Sequence, residues 1–140
     1  MFLDDNKVTE VVSATATGTT TISGAVVDMQ GYDEVTFICS LGTAAADNGI
    51  KVQQGTDATV TDAADLLGSS VLCNGTGKVL VQSIVRPRER YVRPQVVRGT
   101  TTTINSVIAI RSRCRRGPQT NTVTNALASE TNVSPAEGTA

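Results

Sequence analysis

The sequence predicts an all-β chain folded as an antiparallel β-sandwich, and three observations lead there. Thr and Val dominate the composition; both are β-branched, stiff at χ1 and better suited to a pleated surface than to a helix. Gly is plentiful at 12 residues while Pro is scarce at 4, a balance that fits many short strands joined by glycine turns. Short apolar runs recur between turn signals every ~8–12 positions, enough for about seven or eight strands, as in jelly-roll or immunoglobulin-like sandwiches.

Taken in order, residues 1–13 read as an N-terminal arm ending in a short strand at 8–12. Residues 13–21 have loop or edge-strand character, and 21–29 (TISGAVVDM) read as a strand. Gly31 supplies the turn at 30–33, because glycine reaches φ > 0 without steric cost. The clearest strand follows at 34–41 (EVTFICSL), where Val35, Phe37, Cys39 and Leu41 alternate onto one face and Ile38 implies partial cover on the other. A loop at 42–48 ends in Asn48-Gly49, a tight-turn signal, before a strand at 50–54. Residues 56–70 are polar and lack period two, with one helical turn expected around 63–67. A brief strand at 71–73 and a turn at 74–77 lead to 78–85, whose near-continuous apolar character predicts a central strand. Residues 91–98 form a strand carrying Pro94, hence an edge or a bulge. The last strand, 104–113, is expected to put Ile104, Ile108 and Ile110 on one face. Residues 14–117 thus form the sandwich domain, and 118–140, rich in Thr, Asn, Ser and Ala, an extended C-terminal tail that needs a partner surface.

The aromatic share is 3%, with no Trp. A core of Val, Ile, Leu and Ala buries less area per residue than one with rings, so part of the burial is expected from a partner chain. The chain has no His, which removes the commonest general base and every Ser-His or Cys-His nucleophile pair. Cys39, Cys73 and Cys114 lack metal-ligand spacing and read as reduced thiols. Asp57, Asp62 and Asp65 do not match a calcium loop, and Asp28, Asp33 and Glu34 read as turn caps. The expectation is a non-enzyme without metal or cofactor. The start MFLDDNK does not read as a leader, and no apolar run approaches the ~20 residues of a membrane helix, so synthesis in a cytoplasm without membrane contact is expected.

Charge is sharply divided. Residues 1–85 carry ten acids against Lys7, Lys51 and Lys78, whereas residues 86–116 carry nine arginines against Glu89 alone. The candidate partner-binding residues are therefore Arg86, Arg88, Arg90 and Arg93 with Arg111, Arg113, Arg115 and Arg116, which would form one basic patch if their two strands pair. Such a patch can dock an acidic protein surface, pair with the chain's own acidic half, or bind nucleic acid. The last is disfavoured, since only Tyr91 is interleaved for base stacking.

The runs VVDMQGYDEVTFICSLG (26–42), IKVQQGTDA (50–58), RPRERYVRPQVVRG (86–99) and ASETNVSPAEGTA (128–140) resemble the capsid decoration, or cement, proteins of tailed bacteriophages, and the resemblance spans residue 14 to the last. It implies a jelly roll on the outer capsid surface of the virion, bridging neighbouring subunits of the major capsid protein as a homo-oligomer, expected as a dimer, with the tail as a clasp. Two other functions compete: a receptor- or carbohydrate-binding virion module, against which the shortage of Trp and Tyr counts, and a head–tail joining or tail protein.

Overall fold

The structure, a computed structural model, describes residues 2–76, 78–115, 117, 118 and 121. After one helical turn, α1 (Phe2–Asp5), come β1 (Lys7–Val12), β2 (Thr15–Gly18), β3 (Ile22–Ser23), β4 (Val27–Asp28), β5 (Tyr32–Thr43) and β6 (Gly49–Gly55). They are followed by β7 (Ala64–Asp65), β8 (Val71–Leu72), β9 (Val79–Val85), β10 (Tyr91–Val97) and β11 (Thr102–Cys114).

All the pairings are antiparallel and build two sheets. In the first, β1 and β2 lie along β11, followed by β5 and then β9. In the second, β3 and β4 lie along β10, followed by β6, with β7 and β8 along its far side. Taking β1/β2, β3/β4 and β7/β8 each as one interrupted strand leaves eight, nested in pairs: first with last, second with seventh, third with sixth, fourth with fifth. A long hairpin rolled up in this way is a jelly roll.

The core lies between the sheets. Val35, Phe37, Cys39 and Leu41 of β5 face Ile50 and Val52 of β6 and Val92 and Val96 of β10, all essentially inaccessible to solvent. Phe37 is the one aromatic ring in this core, and Ile38, on the opposite face of β5, is half-buried as its position implies.

Several expectations are corrected. The strand at 21–29 is split into β3 and β4 around Gly24. The neighbouring residue of β10 is Pro94, whose carbonyl accepts from Gly24 N–H at 2.8 Å but which has no N–H to return. A Cβ at Gly24 would also strike the Pro94 ring. Pro94 therefore marks a break in the neighbouring strand, while β10 itself is central in its sheet. Residues 63–67 hold no helical turn: Asp65 accepts from Lys51 Nζ and Gln53 Nε2, at 2.7 and 2.8 Å, and pins β7 to β6. Ile104 points inward, but a bulge at Asn105 reverses the alternation. Val107 and Ala109 then enter the core, while Ile108 and Ile110 are only half-buried. Gly49 begins β6 instead of forming a turn; the Val71 carbonyl occupies the place of its Cβ, and Asp47 takes the positive φ of 67°. The strand expected to be central, β9, is an edge, with Val79, Val81 and Val85 more than half exposed. Except for Pro118 and Asn121, the C-terminal tail lies outside the described residues.

Candidate interaction surface

The arginine-rich segments do not sit on paired strands, because β10 and β11 belong to different sheets. They converge nevertheless: the end of β11, the start of β10 and the β9–β10 connection all lie at one end of the sandwich. There they meet the β4–β5 turn, built on Gly31 at φ 85° and capped by Asp28, whose Oδ1 accepts from Gln30 N–H at 2.9 Å. An open cleft of about 620 Å³ is lined by this turn and by Arg86, Arg88, Arg90 and Arg115.

The arginines around it have different tasks. Arg90 holds Asp28 with both edges of its fork, Nε to Oδ1 at 2.8 Å and Nη2 to Oδ2 at 2.7 Å. Arg115 Nη2 reaches Asp33 Oδ1 at 2.7 Å, and Arg113 Nε reaches Glu34 Oε2 at 3.2 Å. Arg111 donates from Nη1 to the Asp28 carbonyl at 2.8 Å and lies over the Tyr32 ring, 4.8 Å from its centroid. Three of the acids in the first half of the chain thus neutralise three arginines of the second.

The charges respond accordingly. The Arg90 hydrogen bond holds the Asp28 carboxyl below its ordinary range against the opposing effect of burial, with the Gln30 amide helping, and Asp28 in turn raises Arg90. Asp33 is lowered chiefly by its hydrogen bond from Arg115.

Arg86 and Arg88 differ: both are exposed, and among the described residues their side chains make no hydrogen bond or salt bridge, although the Arg86 charge helps to lower Asp33. The Arg86 backbone is fixed in a left-handed conformation, φ 50°, with its N–H donating to the Asp33 carbonyl at 2.7 Å. Arg93 stands apart on β10, its Nε donating to Gln53 Oε1 at 3.0 Å. Arg116 lies outside the described residues.

Sequence reasoning missed Arg98, at the opposite end. It is 3% exposed and, among the described residues, bonded to no carboxylate: Nε donates to the Thr20 carbonyl at 2.8 Å, and Nη1 to the carbonyls of Ala16 at 2.9 Å and Thr102 at 3.1 Å. Asn48, also buried, completes the closure by donating to Thr102 Oγ1 at 2.6 Å and accepting from Thr100 N–H at 3.0 Å. This is a structural clamp.

Cys39 is a buried thiol raised to about 11 by burial. Among the described residues no group of three or more His, Cys, Asp or Glu could hold a metal ion, and no helix is long and apolar enough to cross a membrane. Asp57 and Asp62 instead brace their own loop: Asp57 accepts from Thr59 N–H and the Thr59 and Thr61 hydroxyls, Asp62 from Thr56 N–H and hydroxyl.

No protein-family model matches the chain, and no curated protein matches it in sequence. Among solved structures it is similar to the SPBc2 prophage-derived protein YomS, at 14% identity over 79% of this chain and 96% of that one, with a TM-score of 0.49.

Proposed function

We propose that this chain is a non-catalytic virion protein that decorates the outer surface of a tailed-phage capsid and cements neighbouring major capsid subunits. The reading draws on the resemblance of its sequence blocks to the cement proteins. The observation that carries it furthest is the pair Arg86 and Arg88: two exposed cations whose side chains make no hydrogen bond or salt bridge among the described residues, on a connection whose neighbouring arginines are tied to acids of the same chain. Ion pairs within the fold consume Arg90, Arg113 and Arg115 and stiffen the rim. Arg86 and Arg88 remain to meet carboxylates on a shell. Repetition over a capsid lattice makes many weak contacts collectively hard to strip.

The test is decoration of purified heads by the double variant R86E/R88E. Occupancy is expected to fall at least tenfold, with an unchanged circular dichroism spectrum and unfolding midpoint, and wild-type binding should weaken with added salt. Full occupancy by the double variant would remove the reading. Copy number separates it from a head–tail joining role: hundreds of chains per virion for a cement protein, on the order of tens or fewer for a connector.

A further inference from the structure

The four sheet edges are not protected alike. Natural proteins blunt edges with short strands, charges, prolines or bulges, since an exposed row of N–H and C=O groups invites another strand. Among the described residues, β3, β4, β7 and β8 have two residues each. The edge strand β1 carries Lys7 and Glu10, and its Val8 N–H donates to Asn121 Oδ1 at 2.8 Å. The carbonyl of Ala16 in β2 is occupied by Arg98. By contrast β9 runs for seven residues, VLVQSIV, without a charge, a proline or a glycine.

Its hydrogen-bonding sense follows from the bonds at its ends. Leu41 N–H donates to the Lys78 carbonyl and Arg86 N–H to the Asp33 carbonyl, in the register that pairs Cys39 with Leu80. Even-numbered residues of β9 therefore turn their backbone groups towards β5, and Val79, Val81, Ser83 and Val85 turn theirs to the open edge. The same four residues put their side chains on the outer face, where Val79, Val81 and Val85 are 60%, 52% and 52% exposed. Among the described residues the local cover is the Gln82 side chain, whose Nε2 reaches the Ser83 carbonyl at 3.3 Å. Beside the strand runs a groove of about 300 Å³ lined by Leu66, Leu67, Ile84 and Val85 among others, with Leu67 wholly exposed at its lip.

We propose that this edge receives β9 of a second copy of the chain, antiparallel about a two-fold axis, so that the first sheets of two jelly rolls join into one. This rests on the reading of the chain as an assembling structural protein and names the surface that would serve. The edge is self-complementary: with the axis at Gln82, Val79 lies opposite Val85 of the second copy and Val81 opposite Ser83 of the second copy. Each such residue can then exchange both backbone bonds, and no charge falls between the valines. An acidic or basic partner would find nothing on this stretch to select it. Lys78 and Arg86 flank the paired segment with like charges, so salt tightens this contact, whereas it loosens one made by arginines on an acidic shell. One strand edge is smaller than a standard protein interface of ~1,600 Å², so the pair is reversible in solution and consolidated on a lattice.

The experiment is sedimentation of the full chain over a range of concentrations and two salt levels, with backbone amide exchange on the same samples. The expected result is a concentration-dependent shift to the mass of two chains, favoured by salt, with Val79, Val81, Ser83 and Val85 amides slowing as the dimer forms. V81K should raise the dissociation constant at least tenfold, and L67S, at a wholly exposed side chain that cannot unfold the domain, should raise it less. A single-chain mass at millimolar concentration, or a dimer indifferent to V81K, would overturn the proposal. Protection of the four amides independent of concentration would overturn it too, assigning the edge to this chain's own residues 122–140. So would a monomer whose V81K variant no longer binds heads, because the capsid would then be the occupant. Decoration is scored separately with R88E alone, which lies outside the paired segment, so either proposal can fail without the other.

Discussion

Arg98 shows how much a single side chain can carry when burial removes its alternatives. Its guanidinium spans three segments by bonding the carbonyls of Ala16, Thr20 and Thr102. R98A would strand those acceptors away from water, and a loss of about 3 kcal/mol in urea unfolding is expected. R98K should recover only part of it, because one ammonium cannot replace a planar fork. Arg90 makes the opposite case. Its bidentate bond to Asp28 has good geometry, but the two side chains are 47% and 40% exposed, so R90A should shift the unfolding midpoint far less than R98A. Geometry alone does not rank the two arginines; exposure does. Gly49 is a third residue-scale constraint, since G49A drives a methyl into the Val71 carbonyl and is expected to cost about 2–3 kcal/mol.

At the scale of elements, the segment between β6 and β7 gives up helix for a web of side-chain bonds. Asp57 is lowered to about 2 by the amide of Thr59 and the hydroxyls of Thr61 and Thr59, from an ordinary value of 3.8. A carboxyl lowered on folding stabilises the folded loop above its unfolded value, and the contribution is lost as pH falls through the folded one. Amide exchange within residues 56–65 should therefore accelerate as pH drops from 3.8 towards 2, after correction for intrinsic rates. D57N should show the accelerated exchange already at neutral pH. Period-two patterning made most strands legible: β5 and β6 follow from apolar alternation and β10 from its valines. What it could not reveal was the company each strand keeps. The apolar run of β9 suits a central strand as well as an edge that awaits a partner, and Pro94 disturbs the neighbouring strand more than its own.

For the whole molecule, the decisive quantity is the thinness of the core. With one ring among the buried apolar residues, F37A should remove ~3–5 kcal/mol. Against a total of ~5–15 kcal/mol for a domain, that is a large share of what holds the isolated chain folded. Near-ultraviolet circular dichroism and urea titration would register it as a collapsed midpoint. The arginine patch was legible as composition, since nine arginines in 31 residues cannot be missed. Its partition was not: Arg86, Arg88, Arg90, Arg113 and Arg115 gather at one end, Arg93 lies elsewhere, and Arg98 closes the far end.

By itself the sequence determined that the chain is β-structured, which residues of β5 enter the core, and that charge is segregated along its length. These follow from side-chain branching, alternation and count, all local properties. It also contained an unread signal: Arg98 continues the inward series Val92, Pro94, Val96, so the same alternation places it inside. Tertiary structure alone decided the jelly-roll order, the bulge at Asn105 that turns Ile108 and Ile110 outward, the exposure of β9 and the sorting of the arginines. Each depends on which distant segment lies alongside, and pairing between residues far apart leaves no trace in the local period of either.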